Sequence, residues 1–412
     1  MRAAGERGGP LAGLVVLDLT RVFAGPWATQ VLADFGATVI KVEEPRQGDD
    51  TRAWGPPFQD NPADPERPLT PYFLACNRNK KSIAVDIASA EGADVVRRLA
   101  ARADVMIENF KVGGLKRYGL DHASLTALNP RLVTCSITGF GQTGPYAPRG
   151  GYDFLIQGMG GFMSVTGQPD GEPTKLGLPI TDIVTGLYAT IAIQTALRHR
   201  DATGEGQHID CALLDATIAC LSNQSHSYLM GGPVPHRMGN AHPTVTPYRV
   251  FAVADGHVIV ASAVDRQYQA LCRMLGRTDL ATDPRYATSP ARLTNRAELE
   301  ADLETEFARL TKDEAIARMV EHGVPGGPIN TVADVFDDPQ VRERRMVGTI
   351  TDAAGTTVPT VRFPPVMERS PPEPPAPPPQ LGEHTREVLA ELGLDDAAVE
   401  RMAEAGTIRL GR

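Results

Sequence analysis

The stretch Leu14-Val-Val-Leu-Asp-Leu19, followed by Gly25-Pro26 and then by Ala37-Thr-Val-Ile-Lys-Val-Glu43, decides the fold of this chain. Both apolar runs have the length and composition of buried strands, and Gly25-Pro26 is typical of a helix that begins with proline in its first turn. A strand, a helix and a second strand in this order predict a βαβ unit with parallel strands.

The same alternation continues through the first third of the chain. Strand-like runs follow at residues 82–86, 104–108 and 131–137, and residues 90–101 have a helical pattern. We therefore predict an α/β fold with a Rossmann-like, open and mostly parallel sheet that carries helices on both faces. Because ligands of such sheets bind at the carboxyl ends of the strands, site residues are expected on the loops that follow them.

The rest of the chain predicts a division into domains. We expect a large α/β domain to begin with residues 11–222, a linker and loop at 223–244, and a small α+β domain at 245–330. The small domain is indicated by a hairpin around Asp255-Gly256 and by three helical patterns after it. Residues 331–412 are expected to return to the large domain.

A proline-rich run at residues 370–379 interrupts the C-terminal segment. Such a run predicts an extended polyproline arm, which can reach a distant surface or a second subunit. A final helix is expected after it, at residues 385–392.

Composition excludes several classes of protein. The 412 residues are 42% hydrophobic and 22% charged, as in ordinary globular proteins, and the net charge of -9 argues against binding to nucleic acid. The five cysteines show no CxxC spacing, which predicts reduced thiols in a cytoplasmic protein. No run reaches the ~18 apolar residues of a membrane span, and the first ten residues lack the apolar core of a secretory signal.

Common cofactor and catalytic motifs are missing as well. The chain has no GxGxxG at a dinucleotide spacing, no phosphate-binding GxxxxGK[ST] and no GxSxG. Its nine histidines are scattered without HExxH or a cluster with cysteine, so neither a metal site nor a tightly bound cofactor is expected.

Asp182 is the leading catalytic candidate, at the end of the run Lys175-Leu-Gly-Leu-Pro-Ile-Thr-Asp182. Residues 176–180 predict a short buried strand or extended segment, and residues 183–199 predict a helix. Thr181 and Asp182 are good cap residues, so the carboxylate is expected at a helix N-terminus, which favours its ionised form. A lone aspartate in this place is more often only a cap, and the neighbouring motifs decide between the two readings. The predicted apolar positions of the helix are Ile183, Leu187, Ile191 and Leu197.

Basic and amide side chains gather near the ends of predicted strands. Asn77-Arg-Asn-Lys80-Lys81 precedes one strand, Glu108-Asn109-Phe110-Lys111 ends another, and Lys116-Arg117 follows. Each lysine alone would be interpreted as a solvated surface charge. Together they predict a pocket for a phosphorylated, adenine-bearing ligand.

These stretches resemble the class III CoA-transferases, the family of formyl-CoA transferase, carnitine CoA-transferase and 2-methylacyl-CoA racemase. The resemblance extends from about Leu11 to Gly406. It is carried by Leu17-Asp-Leu-Thr-Arg-Val-Phe-Ala-Gly-Pro26, Asn77-Arg-Asn-Lys-Lys-Ser82, Glu108-Asn-Phe110, Gly151-Tyr-Asp153, Gly204-Glu-Gly-Gln207 and Leu381-Gly-Glu-His384.

The resemblance implies that Asp182 is the nucleophile of a CoA transfer. It would attack an acyl-CoA thioester to form a mixed anhydride, and CoA would then form an aspartyl-CoA thioester that an acceptor carboxylate resolves. CoA and acyl-CoA are thus implied as substrates, with no cofactor held tightly. The implied CoA contacts are Arg21, Val22 and Phe23 near the thioester, Asn109, Phe110 and Arg117 along the CoA, and Lys80 and Lys81 at the nucleotide end.

Two positions distinguish branches of the family. The racemase branch has histidine at the position of Tyr152, and a phenol is poorly suited to remove an α-proton, so the transferase branch is favoured and the racemase is the alternative.

The second position is a loop that resembles those of members handling dicarboxylate acyl groups such as succinyl-CoA, with the sequence Arg237-Met-Gly-Asn240-Ala-His242-Pro243. Arg237, Asn240 and His242 are therefore candidate substrate contacts, although the loop could equally well only cover the site. A catalytically silent CoA-binding protein is a third reading, which the intact Asp182 disfavours.

The resemblance also implies an interlocked homodimer, in which each chain winds through a hole in the other. The small inserted domain and the proline-rich arm occur in the family's order in this sequence.

Overall fold

The structure is a computed structural model that describes residues 8–352 and 355–411. The prediction about a secretory signal falls mostly on residues 1–7, which lie outside this range. Over the described residues the strands are β1 (Val15–Leu19), β2 (Thr38–Glu43), β3 (Lys80–Val85), β4 (Val105–Glu108), β5 (Val133–Thr138), β6 (His208–Ala212), β7 (Tyr248–Val253), β8 (Gly256–Ala261), β9 (Gly326–Pro328), β10 (Val347–Thr351), β11 (Thr357–Val361) and β12 (Ile408–Arg409).

The α-helices of the same residues are α1 (Ala24–Asp34), α2 (Pro71–Cys76), α3 (Ala90–Ala100), α4 (His122–Leu128), α5 (Asp153–Met159), α6 (Phe162–Val165), α7 (Ile180–Thr203), α8 (Leu213–Cys220), α9 (Ser222–Leu229), α10 (Asp265–Met274), α11 (Thr278–Thr282), α12 (Ser289–Thr294), α13 (Arg296–Phe307), α14 (Lys312–His322), α15 (Val332–Asp337), α16 (Pro339–Glu343), α17 (Thr385–Glu391) and α18 (Asp396–Glu404). Short 3-10 turns lie at Asp50–Ala53 and Lys116–Tyr118.

The chain divides into two compact units. Over the described residues, the large unit comprises residues 8–162, 175–230 and 343–411, and the small unit comprises 163–174 and 231–342. The large unit is therefore built from three separate stretches of sequence.

A seven-stranded sheet organises the described part of the large unit, in the order β12-β3-β2-β1-β4-β5-β6. All neighbours are parallel except β12, which pairs antiparallel with β3. The parallel sheet and its α/β class are confirmed, and the order 3-2-1-4-5-6 is that of a Rossmann sheet. Neither β6 nor the edge strand β12 was predicted, because both are short and lack a continuous apolar run.

Side chains of the central strands alternate between two buried clusters, one on each face. On β1, Leu17 belongs to the cluster beneath α3, α4, α17 and α18, while Val16 belongs to the cluster beneath α1 and α7. Burial of each such aliphatic side chain stabilises the fold by roughly 1.5–3 kcal/mol. The two covered faces explain why the strand runs of the sequence are continuously apolar.

Helix α7 differs from its prediction in three ways. It begins at Ile180, and residues 176–179 form no strand: Leu178 is 49% exposed, since no neighbouring strand is available to pair with this segment. The predicted apolar positions Leu187 and Ile191 are 43% and 63% exposed, because the helix packs against α1 through small side chains instead. By length and composition alone, α7 could also cross a membrane, contrary to the sequence expectation, although a helix inside a soluble protein passes the same test.

The small unit has a three-stranded antiparallel sheet over its described residues, in the order β7-β8-β9. The predicted hairpin at Asp255-Gly256 and the three predicted helices, observed as α10, α13 and α14, are confirmed. Its core includes Phe251 and Phe307, whose rings stack with centroids 4.8 Å apart.

The proline-rich run at residues 370–379 is extended, as predicted, but it follows the surface of its own large unit. The backbone N–H of Glu373 donates to the carbonyl of Asp34 at 2.7 Å, and that of Ala376 donates to Asn79 Oδ1 at 2.6 Å. The run leads to α17, which packs beside β3. In this structure the arm therefore ties the C-terminal segment to its own sheet.

Candidate active site

A cleft of about 420 Å³ lies at the carboxyl ends of β1, β4 and β5. The strand order reverses at this place, where β1 has β2 on one side and β4 on the other, and such points form the ligand crevice of open α/β sheets. We call it the Asp182 cleft. It is lined chiefly by residues 21–24, 109–112, 137–139, 149–152 and Asp182.

Asp182 is in the first turn of α7, close to the N-terminus of a second helix. One turn further along α7, Gly186 lies so close to α1 that a Cβ there would be 2.6 Å from the carbonyl oxygen of Ala24. Residues four apart share one face of a helix, so Asp182 is on the face of α7 that meets the beginning of α1. Both helix N-termini therefore lie near this carboxylate.

Asp153 occupies the N-terminus of α7 in the way that was predicted for Asp182. Its Oδ1 accepts hydrogen bonds from the Thr181 backbone N–H at 2.8 Å and the Thr181 hydroxyl at 2.7 Å. Its Oδ2 accepts a bond from Gln157 Nε2 at 2.7 Å. The prediction that Thr181 and Asp182 cap the helix is therefore wrong, because α7 begins before them. None of the hydrogen bonds in the described part of the chain ends at the Asp182 carboxylate, which leaves its oxygens available.

The environment of Asp182 opposes its ionisation. Burial, together with the negative charge of Asp153, raises the pKa of Asp182 from 3.8 to about 7. These two effects outweigh the helix N-terminus, which was expected to favour the ionised form of Asp182. A carboxylate that loses its proton near neutral pH is more basic, and hence a better nucleophile, than an ordinary aspartate.

We expect activity of the free enzyme to follow the ionisation of Asp182. Only the ionised carboxyl group can attack, so kcat/KM should rise about tenfold per pH unit below the midpoint near pH 7 and level off above it. Asp153→Asn removes the neighbouring charge but keeps an oxygen that can accept from Thr181, so the midpoint should fall. Rate profiles between pH 5 and 9 for both proteins test this, and a wild-type profile that is flat from pH 5 to 8 would contradict it.

The loop after β1 forms one wall of the Asp182 cleft. The backbone N–H of Arg21 donates to Asn109 Oδ1 at 3.0 Å, and Asn109 Nδ2 donates back to the Arg21 carbonyl at 2.7 Å. The Arg21 guanidinium lies 5.2 Å from the Phe110 ring centroid, and Phe23 stacks on Trp27. Arg21, Val22, Phe23, Asn109 and Phe110 are thus brought together in one cleft. Their contact with CoA stays a prediction.

Tyr152 also lines the cleft and is 68% exposed. It is followed directly by α5, whose first residue is Asp153. The neighbouring Gly151 touches Gly139, and a Cβ on Gly151 would lie 2.4 Å from the Cα of Gly139. This close approach brings the segment of Tyr152 against the end of β5.

Two further cations, Lys111 and Arg149, line the cleft. Lys111 belongs to the basic cluster predicted from the sequence, whereas Arg149 was not predicted as a site residue. Arg149 lies over the rings of Phe140 and Tyr146, with its guanidinium carbon 5.1 Å and 4.7 Å from their centroids. The sequence signal for Arg149 is its position directly before Gly150-Gly151, because that glycine pair brings the following residue, Tyr152, into the cleft.

Three predicted CoA contacts do not line the cleft. Lys80 is completely buried, and its ammonium group donates to Asp18 at 3.1 Å, to Asn77 and to the Pro26 carbonyl. Although burial opposes ionisation, Lys80 and Lys41 together lower the pKa of Asp18 to about 2. Lys80 therefore belongs to a structural ion pair. Lys81 pairs with Glu387 at 2.7 Å, and Arg117 lies over the ring of Tyr118.

A second depression of about 160 Å³ adjoins the Asp182 cleft. It shares Arg21 and Phe110 with the cleft and is otherwise lined by residues at the ends of β1, β2 and β3, among them Glu44, Asp86 and Ile87. The two together offer a continuous path along the carboxyl edge of the sheet for an elongated ligand.

Arg237, Asn240 and His242 belong to the small unit. The Arg237 guanidinium donates to the carbonyls of Gln168, Pro169 and Gly171, so its donors hold the loop of residues 168–171. The His242 ring lies 5.1 Å from that of Tyr248, and Asn240 is exposed. Their part in substrate binding stays a prediction. In the described residues no group of three or more His, Cys, Asp or Glu is placed to hold a metal ion.

Comparisons with known proteins agree on one family. A sequence model described as CoA-transferase family III matches residues 11–385. The chain is 51% identical over 383 residues to a succinate–glutarate CoA-transferase of Agrobacterium fabrum, which covers 93% of this chain and 96% of that protein. It is 41% identical over 404 residues to a succinyl-CoA:glutarate CoA-transferase of Mus musculus, with 97% and 90% covered. The crystal structure of a CAIB/BAIF family protein from Brucella suis superposes with a TM-score of 0.83 at 52% identity, covering 94% of this chain and all of that one.

Proposed function

This chain belongs to CoA-transferase family III, and from that premise we propose that it transfers CoA from a dicarboxylyl-CoA such as succinyl-CoA to a free dicarboxylic acid such as glutarate. The single observation that carries the mechanism is Asp182, a carboxylate without a hydrogen-bond donor among the described residues, in a cleft at two helix N-termini. The names of the two enzymes compared above support the choice of acids.

Asp182 acts as a covalent nucleophile. Its carboxylate oxygen attacks the thioester carbonyl carbon, the C–S bond breaks and CoA leaves as a thiolate, so that a mixed anhydride remains. The thiolate then attacks the aspartyl carbonyl and releases the donor acid. The acceptor carboxylate attacks the aspartyl-CoA thioester, the C–S bond breaks and a second mixed anhydride forms. The released thiolate then attacks the acyl carbonyl of this anhydride, which gives the new CoA thioester and frees the Asp182 carboxylate. The anhydride and the thioester both stay activated, which is why a carboxylate suits this exchange.

CoA lies along the carboxyl edge of the sheet in this proposal. Its thioester end faces Asp182, Arg21 and Phe23, and its chain passes Asn109 and Phe110 towards the second depression. Arg21 and Phe110 line both the Asp182 cleft and the second depression, which supports this path. Lys111 and Arg149 are the cations of the cleft that are available to anionic groups of the substrates.

The alternative is a 2-methylacyl-CoA racemase of the same family. A racemase needs an acid/base pair that exchanges the α-proton. In the part of the chain that the structure describes, no histidine lines the Asp182 cleft, and Tyr152 is exposed. This observation favours the transferase.

Turnover with isotopically labelled glutarate separates the two functions. The protein is incubated with succinyl-CoA and labelled glutarate, and mass spectrometry follows labelled glutaryl-CoA. Hydroxylamine should trap an aspartyl hydroxamate at Asp182 during turnover. If no dicarboxylate yields a new thioester while 2-methylacyl-CoA takes up α-deuterium, the racemase is correct and the transferase is not.

We expect the protein to be an interlocked homodimer. Apolar side chains on α7 and α9 support this proposal, since Leu187, Ile191, Tyr228 and Met230 are between 43% and 85% exposed in the single chain. Sedimentation at nanomolar concentration should give twice the 44.2 kDa of one chain, because interlocked chains cannot separate without unfolding. Ile191→Glu should lower the thermal stability of the dimer, whereas Arg198→Glu, at an exposed position of the same helix, should not. A folded and active monomer at nanomolar concentration would refute the arrangement.

We propose a cytoplasmic location. All five cysteines are free thiols in the structure, which supports a reducing compartment.

A further inference from the structure

Val22, in the wall of the Asp182 cleft, has an unfavourable backbone conformation. Its φ is +71°, in the left-handed region that β-branched residues rarely adopt. Such a conformation costs of order 1–3 kcal/mol and persists only where the surrounding structure holds it. It lies in the short connection between the end of β1 at Leu19 and the beginning of α1 at Ala24, so it determines how the strand turns into the helix.

The buried ion pair of Lys41 and Asp49 is hydrogen-bonded to the backbone of this turn. Lys41 and Asp49 lie 2.8 Å apart with both side chains fully buried. The Lys41 ammonium also donates to the carbonyl of Thr20 at 2.8 Å, and Asp49 Oδ1 accepts from the backbone N–H of Val22 at 3.2 Å. The pair thus contacts the turn at two points, one on each side of Arg21.

Asp49 is itself rigidly fixed. Its Oδ1 accepts from the Thr51 backbone N–H at 3.0 Å and the Thr51 hydroxyl at 2.7 Å, and its own N–H donates to Glu43 Oε2 at 3.0 Å. A carboxylate with this many partners cannot relax to follow a moving loop. It is therefore the turn that conforms to Asp49.

The turn at Val22 also determines where the N-terminus of α1 lies relative to Asp182. Phe23 and Ala24 follow Val22 and line the cleft, and the carbonyl of Ala24 meets Gly186 on the Asp182 face of α7. No hydrogen bond in the described part of the chain uses the backbone N–H of Phe23 or of Ala24. Free N–H groups at a helix N-terminus can stabilise negative charge that develops on a reacting carbonyl.

We infer that Asp49 is a positioning residue for the transfer reaction: it holds the strained turn at Val22 so that the first N–H groups of α1 face the carbonyl group attacked by Asp182. This inference rests on the proposed role of Asp182. Asp49 is buried beside the second depression, and its effect on the reaction is transmitted through the turn, at Thr20 by way of Lys41 and at Val22 directly.

Two Asp49 variants, each also combined with Val22→Gly, and one control variant test the inference. Asp49→Asn weakens the ion pair, and the double variant Lys41→Met/Asp49→Leu removes both charges, so that no unpaired charge is left buried and the protein can still fold. Val22→Gly is then added to each, because glycine adopts the same φ without strain. Asp104→Asn is the matched control: Asp104 also pairs with a buried arginine, Arg200, and accepts from a backbone N–H of β1, but at Val15, the opposite end of the strand.

The expected result is a split between turnover and binding. Both Asp49 variants should lose at least tenfold in kcat while the Kd for CoA changes less than threefold, and added Val22→Gly should restore a several-fold part of the loss. Asp104→Asn should lower Tm without lowering kcat. Full kcat in a folded Asp49 variant, an equal loss in the control, or no recovery with glycine would each overturn the inference.

Hydrogen exchange keeps this test separate from the proposed function. Amides of residues 20–26 should exchange at least tenfold faster in the Asp49 variants than in the wild type, whichever substrates react. Unchanged exchange overturns the inference even if transfer is confirmed, and absence of transfer in the wild type counts against the proposed function instead.

Discussion

Asp182→Asn should abolish CoA transfer while leaving CoA binding nearly intact. The amide cannot form the anhydride, and covalent catalysis is lost together with its intermediates, so kcat should fall by at least about 10³-fold. CoA would still contact Asn109 and Phe110, which do not depend on Asp182 for their hydrogen bonds. Steady-state turnover and calorimetric titration with CoA measure the two effects. Wild-type turnover in this variant would reject the mechanism.

The same variant should be more stable than the wild type at alkaline pH. The pKa of Asp182 is about 7 in the folded state and near 4 in the unfolded chain, so ionisation destabilises the folded protein increasingly between pH 4 and 7. Asparagine removes this cost, which is at most roughly 4 kcal/mol. Denaturant unfolding should show a gain at pH 8 and no gain at pH 4. An equal effect at both values would mean that burial does not oppose the charge of Asp182.

Gly186→Ala should reduce turnover although the residue touches no substrate. The new Cβ would lie 2.6 Å from the Ala24 carbonyl oxygen, a backbone atom that cannot move aside cheaply, so α7 must shift away from α1. Asp182 lies one turn away on the same helix, and a misplacement of about 1 Å can reduce rates by roughly 10²-fold. We expect a loss of this order in kcat. The better helix propensity of alanine should offset part of the loss in stability.

Gly326→Ala provides the matched control for this prediction. A Cβ on Gly326, in the small unit, would lie 2.5 Å from the Ile259 carbonyl oxygen, so the steric conflict is of the same kind. This variant should lose stability and keep its kcat. If both variants lose kcat equally, the effect of Gly186→Ala is a general loss of packing and the geometric argument fails.

Local patterns predicted the large sheet and the loops of the cleft. The strands β1 to β5 are largely buried on both faces, so their sequences are rich in β-branched and other apolar residues and stand out from their surroundings. The contacts of Arg21 with Asn109 and Phe110 follow from the same rule, because loops after neighbouring parallel strands meet at one edge.

The features that could not be predicted from the sequence depend on contacts between residues that are far apart in the chain. Lys80 resembles a solvated lysine in sequence, and only its approach to Asp18, 62 positions away, reveals a buried pair. Asp153 and Thr181 are similarly separated, so the true cap of α7 could not be read from the residues next to Asp182. The exposed side of α7 was predicted as buried because an apolar stripe does not indicate which neighbour covers it.

The antiparallel strand β12 has a consequence for synthesis of the protein. Ile408 and Arg409 pair with Val85 and Ala84, so β12 covers the edge of a strand that precedes it by more than 300 residues. Until residues 408 and 409 have been synthesised and can pair, this edge of β3 keeps unpaired backbone groups, and such open edges pair readily with other chains. The seven-stranded sheet is therefore completed only when a segment synthesised late reaches β3, and until then that strand is open to pairing with other chains.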